Sequence, residues 1–114
     1  MLSKVNRLAR RSDLLVALRR GQLSRAGLLS VRVVRTGRPV SRFAFVVSNK
    51  VSKRATVRNR LRRQLREITR SWLPQIHRGY DVVVTVHPGR AVLATAELAE
   101  TLRWCLSRSQ LLLP

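Results

Sequence analysis

The segment from Lys53 to Arg70, with the sequence KRATVRNRLRRQLREITR, decides the fold of this chain. Apolar residues recur in and just after it at steps of three or four, which is the period of one face of an α-helix. They are Val57, Leu61, Leu65, Ile68 and Trp72. The segment also holds eight of the 24 Lys and Arg residues but a single acid, Glu67. We therefore predict a long helix that docks its apolar stripe on a core and turns a basic ridge outward.

The basic ridge has a regular spacing that suits a polyphosphate partner. Arginine recurs at every fourth residue, at Arg58, Arg62, Arg66 and Arg70. Asn59 and Arg63 lie beside this row on the predicted helix. A guanidinium group is planar and permanently charged, so it binds phosphate oxygens in pairs and stacks on bases. The ridge is therefore predicted to bind a nucleic-acid backbone.

The whole chain is strongly basic. Its 114 residues include 24 Lys+Arg against 5 Asp+Glu, for a formal net charge of +19. Self-repulsion of this size disfavours a compact state unless a polyanion relieves it, and nucleic acid is the obvious polyanion. With 45% hydrophobic residues the chain is not a disordered basic tail, and its length fits one domain with a modest core. A basic protein that is merely soluble is the weaker interpretation, because the charge is clustered.

The chain has few groups that could perform chemistry. Cys105 is the only cysteine, so no internal disulfide can form and a reducing cytoplasm fits. His77 and His87 lack Cys or carboxylate neighbours at metal-ligand spacing, so no protein zinc site is predicted. The acids are scattered and do not suggest a two-metal centre. They are Asp13, Glu67, Asp81, Glu97 and Glu100. No catalytic residue is therefore predicted in this chain.

The N-terminal quarter predicts a short helix after a basic arm. Residues 1–11 have no clear period and are expected to form a mobile or extended arm. Ser12 is expected to cap the helix with Asp13 in its first turn, where a negative charge favours the helix dipole. Gly21 suits a left-handed stop. The predicted apolar face of this helix consists of Leu14, Leu15 and Leu18.

Alternation of side chains predicts the strands. They are expected at residues 22–27, 28–36, 42–48 and 81–87. Pro74 ends the long helix, and Thr95 is expected to cap a last one. The inner side of that last helix is predicted to hold Leu98, Leu102, Cys105 and Leu106. The order indicates one α+β domain over residues 1–114, in which a parallel strand pair flanks the long helix through a crossover that is right-handed by base rate.

Three motifs give the chain a resemblance to a known family. Residues Val47 to Glu67, VSNKVSKRATVRNRLRRQLRE, centre on Arg58-Asn59-Arg60 at the start of the long helix. Asn6-Arg7-Leu8 precedes the first helix, and Gly79-Tyr80-Asp81 precedes the last strand. Together they resemble the protein subunit of bacterial ribonuclease P, and the likeness covers nearly the whole chain.

The resemblance implies a fold and a function. The fold is helix–three strands–helix–strand–helix with a four-stranded mixed sheet and a left-handed crossover around the arginine helix, which replaces the base-rate expectation. The protein assists a catalytic RNA that cleaves the 5′ leader from precursor tRNA with Mg²⁺ bound mainly by that RNA. Its expected partners are this RNA and precursor tRNA in the cytoplasm. No DNA, membrane or obligate protein partner is expected.

The resemblance also implies two groups of site residues. The catalytic RNA is expected to contact Lys50, Lys53, Arg54, Arg58, Asn59, Arg60, Arg62, Arg63 and Arg66. The leader is expected in a cleft between the first helix and the sheet, lined by Leu14, Leu18, Arg32, Phe45 and Asn49. The family usually has aromatic residues at positions 14, 18 and 32, where leader bases could stack, so stacking is expected to be weaker here. Two further positions depart from the family. Asn49 stands where the family has one lysine of a pair, and His87 stands where it usually has an arginine.

Other classes compete with this interpretation. A small ribosomal or structural RNA-binding protein without a role in tRNA processing is the main alternative. A DNA-binding regulator is disfavoured because no helix-turn-helix spacing or dimer seam is visible. A membrane-surface helix is disfavoured because strands flank the basic helix and make it part of a domain.

Overall fold

The computed structural model describes residues 2–89 and 95–112. In that part of the chain three α-helices and four strands follow one another as the sequence predicts. They are α1 (Arg11–Arg20), β1 (Gln22–Ala26), β2 (Leu29–Arg35), β3 (Arg42–Val47), α2 (Ala55–Trp72), β4 (Tyr80–Val86) and α3 (Thr95–Arg108). Short 3₁₀ turns lie at Lys4–Asn6 and, directly after α2, at Leu73–Gln75, where Pro74 ends the long helix.

The strands form one mixed sheet in the order β1-β2-β4-β3. β2 pairs antiparallel with both β1 and β4, while β3 pairs parallel with β4. In the central row, Val84 of β4 lies between Val31 of β2 and Phe45 of β3. The long helix α2 connects the parallel strands β3 and β4, which confirms the predicted crossover unit and mixed sheet. The handedness of this crossover stays a prediction.

One face of the sheet carries the main core. Side chains alternate along each strand, so every second residue of β2, β3 and β4 points to the same side. These residues are Leu29, Val31, Val33, Phe43, Phe45, Val47, Val82, Val84 and Val86, all buried. Leu61 and Leu65 of α2 and Leu102 of α3 pack against them. Fully burying a leucine such as Leu65 or Leu102 stabilises the fold by about 1.5–3 kcal/mol.

The predicted inner side of α3 is confirmed. Its four residues Leu98, Leu102, Cys105 and Leu106 are all buried. The predicted cap at Thr95 depends on a side chain outside the described part of the structure. Among the described residues, no helix is long and apolar enough to cross a bilayer.

The opposite face of the sheet is covered by α1. Ala17 of this helix is fully buried against Val83 of β4 and Leu8. The predicted apolar face is wrong in part, because Leu15 and Leu18 are 40% and 36% exposed. The helix approaches the sheet through the small Ala17, which leaves the larger side chains on either side of it in partial contact with solvent.

Both predicted ends of α1 need correction. The helix begins at Arg11, one residue before the predicted cap Ser12, and Arg10 at its N-cap makes no side-chain cap bond. Gly21 has φ −66°, so it is not a left-handed stop. Glycine is needed there for space, since a Cβ would lie 2.3 Å from the carbonyl oxygen of Ala17 and 3.0 Å from Cβ of Arg32.

The N-terminal segment is docked on the sheet, where a mobile or extended arm was predicted. Leu2 and Leu8 are buried, and the Leu8 amide donates a hydrogen bond to the Phe43 carbonyl at 2.8 Å. Arg7 forms a parallel bridge with Phe43, and the Asn6 side-chain amide donates to the Ser41 carbonyl at 2.9 Å. The segment therefore covers the outer edge of β3.

Candidate nucleic-acid interface

The position of α2 determines which of its residues face solvent. Leu61 and Leu65 are buried on the core, and Val57, Ile68 and Trp72 are half-buried beside them. This confirms the apolar stripe predicted from the spacing. The arginine ridge consequently lies on the outer side of the helix.

Two arginines of the ridge are tethered to their own chain. Arg58 Nη1 donates to the Ser52 carbonyl at 2.8 Å. Arg62 Nη1 donates to Asn59 Oδ1 at 2.6 Å, and its Nη2 donates to the Val47 carbonyl at 3.3 Å. Arg62 therefore binds the helix to the end of β3, and Arg58 binds it to the loop that follows. Their guanidinium groups are held in place before any ligand arrives.

Two further arginines of α2 extend into solvent. Arg60 and Arg63 are exposed, and neither makes a hydrogen bond or ion pair with the described residues. Asn59, Arg62, Arg63 and Arg66 line an open groove of about 470 Å³ on this side of the helix, with Glu67 at its end. Glu67 pairs with Arg70, three residues further along the helix, at 3.3 Å. The groove is therefore lined mainly by cationic side chains.

The loop before α2 adds further positive charge. Lys50, Lys53 and Arg54 are exposed in the turns that lead from β3 into the helix. The first turn of α2 contains no acid, and its N-cap residue Arg54 makes no side-chain cap bond. The partial positive charge of the helix N-terminus is thus not offset by a carboxylate. All nine predicted RNA-contacting residues lie on this loop or on the first three turns of α2.

The predicted leader cleft is formed by α1 and the sheet face beneath it. Leu14 and Leu18 project from α1, and Arg32 of β2 donates from Nη1 to the Gly21 carbonyl at 3.4 Å. Half-buried Ala44 and Val46 of β3 supply an apolar floor. Asn49 is exposed two residues beyond the end of β3.

Phe45 does not belong to this cleft. Only 8% of it is exposed, and it packs in the main core on the other face of the sheet. The assignment is wrong because side chains alternate along β3, so Phe45 points with Phe43 and Val47 toward α2 and α3. Its neighbours Ala44 and Val46 face the cleft instead.

A polar cluster on the α1 face was missed as a site by the sequence analysis. Nε2 of His87 lies 2.8 Å from Oγ of Ser30, and Arg25 is the residue paired with Ser30 on β1. Burial, together with the charge of Arg25, lowers the pKa of His87 below its ordinary value. The imidazole is therefore neutral at pH 7. Alternation along β2 could have revealed Ser30, since it lies on the same face as Arg32.

The acids near the sheet are unsuited to holding a metal ion. Residues 2–89 and 95–112 contain no group of three or more His, Cys, Asp or Glu that could bind one. Asp13 and Asp81 are both within ion-pair distance of Arg42, which occupies the space a cation would need. The side chains present do not fit a protein-held Mg²⁺.

Comparisons with known proteins show the family of this chain. Residues 2–110 match the family model described as Ribonuclease P. The chain is 37% identical over 113 residues to the ribonuclease P protein component of Pseudanabaena sp. (strain PCC 6903), covering 98% of this chain and 97% of that one. It is 43% identical over 88 residues to the protein component from Synechocystis sp., covering 76% and 71% of the two chains.

Solved structures show the same fold. The RNase P protein from Thermotoga maritima superposes with a TM-score of 0.78 at 30% identity, covering 90% of this chain and 96% of that chain. The Staphylococcus aureus RNase P protein superposes with a TM-score of 0.87 over 96% and 99% of the two chains; at 19% identity it supports the fold alone. Because residues 2–110 of its 114 match the family model, the chain belongs to the ribonuclease P protein family.

Proposed function

We propose that this chain binds the catalytic RNA of ribonuclease P through α2 and the loop before it, and holds the 5′ leader of precursor tRNA in the cleft beneath α1. Membership of the family makes it the accessory protein subunit of a ribonucleoprotein endoribonuclease that processes tRNA, with an RNA subunit as partner. The contacts to each RNA are the part that we propose.

The observation that supports this proposal most strongly is that the arginines of α2 form two groups, one bonded to the chain and one free in solvent. Arg58 and Arg62 are tethered to backbone carbonyls, whereas Arg60 and Arg63 reach into solvent without an intramolecular partner among the described residues. A folded protein gains little by leaving such groups unpaired, but they are ready to neutralise phosphates. The tethered pair holds the loop that carries Lys50 and Lys53 against α2.

The cleft suits a single strand better than a duplex. Its apolar floor at Ala44 and Val46 can contact base faces, while Arg32 and Arg25 supply positive charge for the backbone. Stacking on an aromatic side chain contributes roughly 1–3 kcal/mol per base. With Leu14 and Leu18 on the wall, we propose that apolar contact and the Arg32 guanidinium take over part of that role.

Bond cleavage is assigned to the RNA. The chain offers a cationic surface and a cleft, and its acids do not fit a metal centre. We propose that Mg²⁺ is held by RNA phosphates and that the protein reduces repulsion among those phosphates as the substrate docks. A cytoplasmic location belongs to the same proposal, because tRNA is processed there.

The test compares arginines of equal charge on two helices. Replacing Arg60 and Arg63 together by alanine should weaken binding of the catalytic RNA and reduce the slope of log K against log salt by about two. Arg103→Ala is the control, because Arg103 is an exposed residue of α3 and lies outside the predicted site. Fluorescence anisotropy at several salt concentrations gives both quantities, and circular dichroism checks the fold.

A loss of affinity in the double variant with near-normal binding by Arg103→Ala supports the interface on α2. Equal effects of the double variant and the control, scaled to the charge removed, would show that net charge matters and that its location does not.

A further inference from the structure

We propose that the contact between Asp13 and Arg42 positions α1 above the sheet and thereby sets the width of the leader cleft. Asp13 is in this account a positioning residue. The inference rests on the proposed leader site and deepens it, because it names what holds one wall of that site in place.

The contact is part of a three-residue cluster that joins α1 to two strands. Arg42 of β3 donates from Nε and Nη2 to Asp81 Oδ1 and Oδ2 of β4 at 2.9 and 2.7 Å. Its remaining nitrogen, Nη1, lies 3.3 Å from Oδ2 of Asp13 in the first turn of α1. The hydrogen bonds to Asp81 raise the pKa of Arg42 above its ordinary value, so its charge is permanent. Arg42 is thus a fixed anchor in the sheet, and Asp13 is the helix group that attaches to it.

Apart from this cluster, α1 buries little apolar area against the sheet. Ala17 is the one fully buried residue of the helix, and its methyl group provides little apolar area. Leu14 is half-buried, while Val16 and Leu18 are 45% and 36% exposed. Since hydrophobic stabilisation scales with buried apolar area, packing alone holds this helix weakly. A polar contact at the helix start therefore has a large share in its placement.

The two ends of α1 are held in different ways. The C-terminal end is held close to the sheet by the chain, because Gly21 packs against Arg32 and leads directly into β1. The N-terminal end is held by the Asp13 contact and, three residues before the helix begins, by the Leu8 amide, which donates to the Phe43 carbonyl at 2.8 Å. Asp13 and Leu14 are adjacent in the first turn of α1, with Asp13 directed to Arg42 and Leu14 packed on the cluster of Leu8, Ala17 and Val83. A tilt that breaks the Asp13 contact must move the leucine wall of the cleft.

There is room for such a tilt. An open cavity of about 230 Å³ lies beside α1 on the side away from the leader cleft. It is lined by Asp13, Val16, Arg35 and Arg38 among others. The cavity gives α1 space to shift on the side of Asp13 and Val16.

Asp13 can be replaced without disturbing the other contacts of the cluster. When Asp13 is removed, Arg42 keeps both hydrogen bonds to Asp81, so no buried charge is left unpaired. Asp13 itself retains 25% side-chain exposure, which limits the stability cost of losing the ion pair. Asp13→Ala should therefore fold, with its effect concentrated on helix position. Asp13→Asn keeps an oxygen that can accept from Arg42 and should behave as an intermediate.

The experiment measures affinity of the assembled holoenzyme for precursor tRNA with a leader and for mature tRNA without one. Asp13→Ala should weaken binding of the leader-bearing substrate by about fivefold, the range of a partly exposed ion pair, and leave mature tRNA unchanged. Asp13→Asn should lose less, and Ser12→Ala, an exposed neighbour in the same turn, should match the wild type. Hydrogen exchange should speed up for α1 amides in Asp13→Ala but not for β2 or β4.

Each other outcome counts against the proposal. Equal losses for both substrates would indicate general destabilisation, and unchanged leader affinity would show that Asp13 does not position the wall. Leader dependence is measured first in the wild-type holoenzyme. Its absence there would overturn the proposed leader site and this inference with it, whereas its presence together with an inert Asp13→Ala would overturn this inference alone.

Discussion

His87 lies where burial and a neighbouring arginine act on one imidazole ring. Both lower its pKa below the ordinary value of 6.5. The unfolded chain therefore takes up a proton first as the pH falls, while the folded chain still holds the neutral ring beside Ser30. The stabilisation due to His87 is present in full above about pH 6.5 and is lost as the pH falls through the folded-state pKa.

The predicted consequence is a stability difference that depends on pH. Between pH 7 and pH 5 the free energy of unfolding of the wild type should fall by more than that of His87→Gln, whose side chain does not titrate. The difference is expected to be small, since the ring is partly exposed. Urea unfolding at intervals of half a pH unit measures it. Parallel curves for the two proteins would refute a protonation cost at this residue.

Single positions also show where residue type was insufficient for prediction. Glycine after a helix usually indicates a left-handed stop, but Gly21 is required by the close approach of the Ala17 carbonyl, which belongs to tertiary packing. Ser12 favours a cap by type, yet the helix begins one residue earlier. Phe45 was placed in the cleft through the resemblance, although alternation along β3 already assigned it to the core. A strict use of the two-residue period would have avoided that last error.

At the scale of elements, α1 has two exposed leucines with different surroundings. Leu18 lies toward the cleft, near the helix end that faces Arg32, and is 36% exposed. Leu15 is 40% exposed and lies about 200° around the helix from the buried Ala17, so it points away from the sheet. An aromatic ring can therefore be placed inside the proposed site at Leu18 and outside it at Leu15, at positions of similar solvent exposure.

Leu18→Phe should tighten binding of leader-bearing precursor tRNA by the holoenzyme. A ring on this wall gives a leader base a stacking surface, which contributes roughly 1–3 kcal/mol per base. Leu15→Phe should bind like the wild type. Equilibrium titration with substrates of increasing leader length measures the effect, which should appear once the leader reaches the cleft. Equal tightening by both variants, or none by Leu18→Phe, would contradict the placement of the cleft.

Elements with strong periodicity were predicted well for a physical reason. The stripe of α2 and the inner side of α3 place large apolar residues at helical spacing, and burial of those residues decides how the helices pack. The period in α1 was harder to interpret because the buried residue is Ala17, which contributes little to a hydrophobic pattern. The buried apolar residues that the structure describes in the N-terminal segment are Leu2 and Leu8, and two residues six apart indicate neither a helix nor a strand.

At the scale of the whole molecule, the sheet separates the two surfaces that we propose bind RNA. α2 and α3 cover one face of the sheet, and α1 partly covers the other. The proposed catalytic-RNA surface on α2 and the proposed leader cleft thus lie on different layers, joined by the exposed loop after β3. The pattern of strands and helices predicted a parallel strand pair around α2, and the resemblance supplied the four-stranded mixed sheet. The walls of the cleft depend in addition on how α1 packs on the sheet through Ala17, which is tertiary packing that the sequence pattern does not show.

The central claim is that this chain assists an RNA catalyst and supplies no bond-breaking groups. The direct test incubates precursor tRNA with labelled 5′ leader at low Mg²⁺ with the catalytic RNA, with the protein, and with both. Leader release should be slow with the RNA alone, absent with the protein alone, and fast with both, leaving a 5′-phosphate on the tRNA. Leader release by the purified protein alone, or no acceleration when it joins the RNA, would contradict the account.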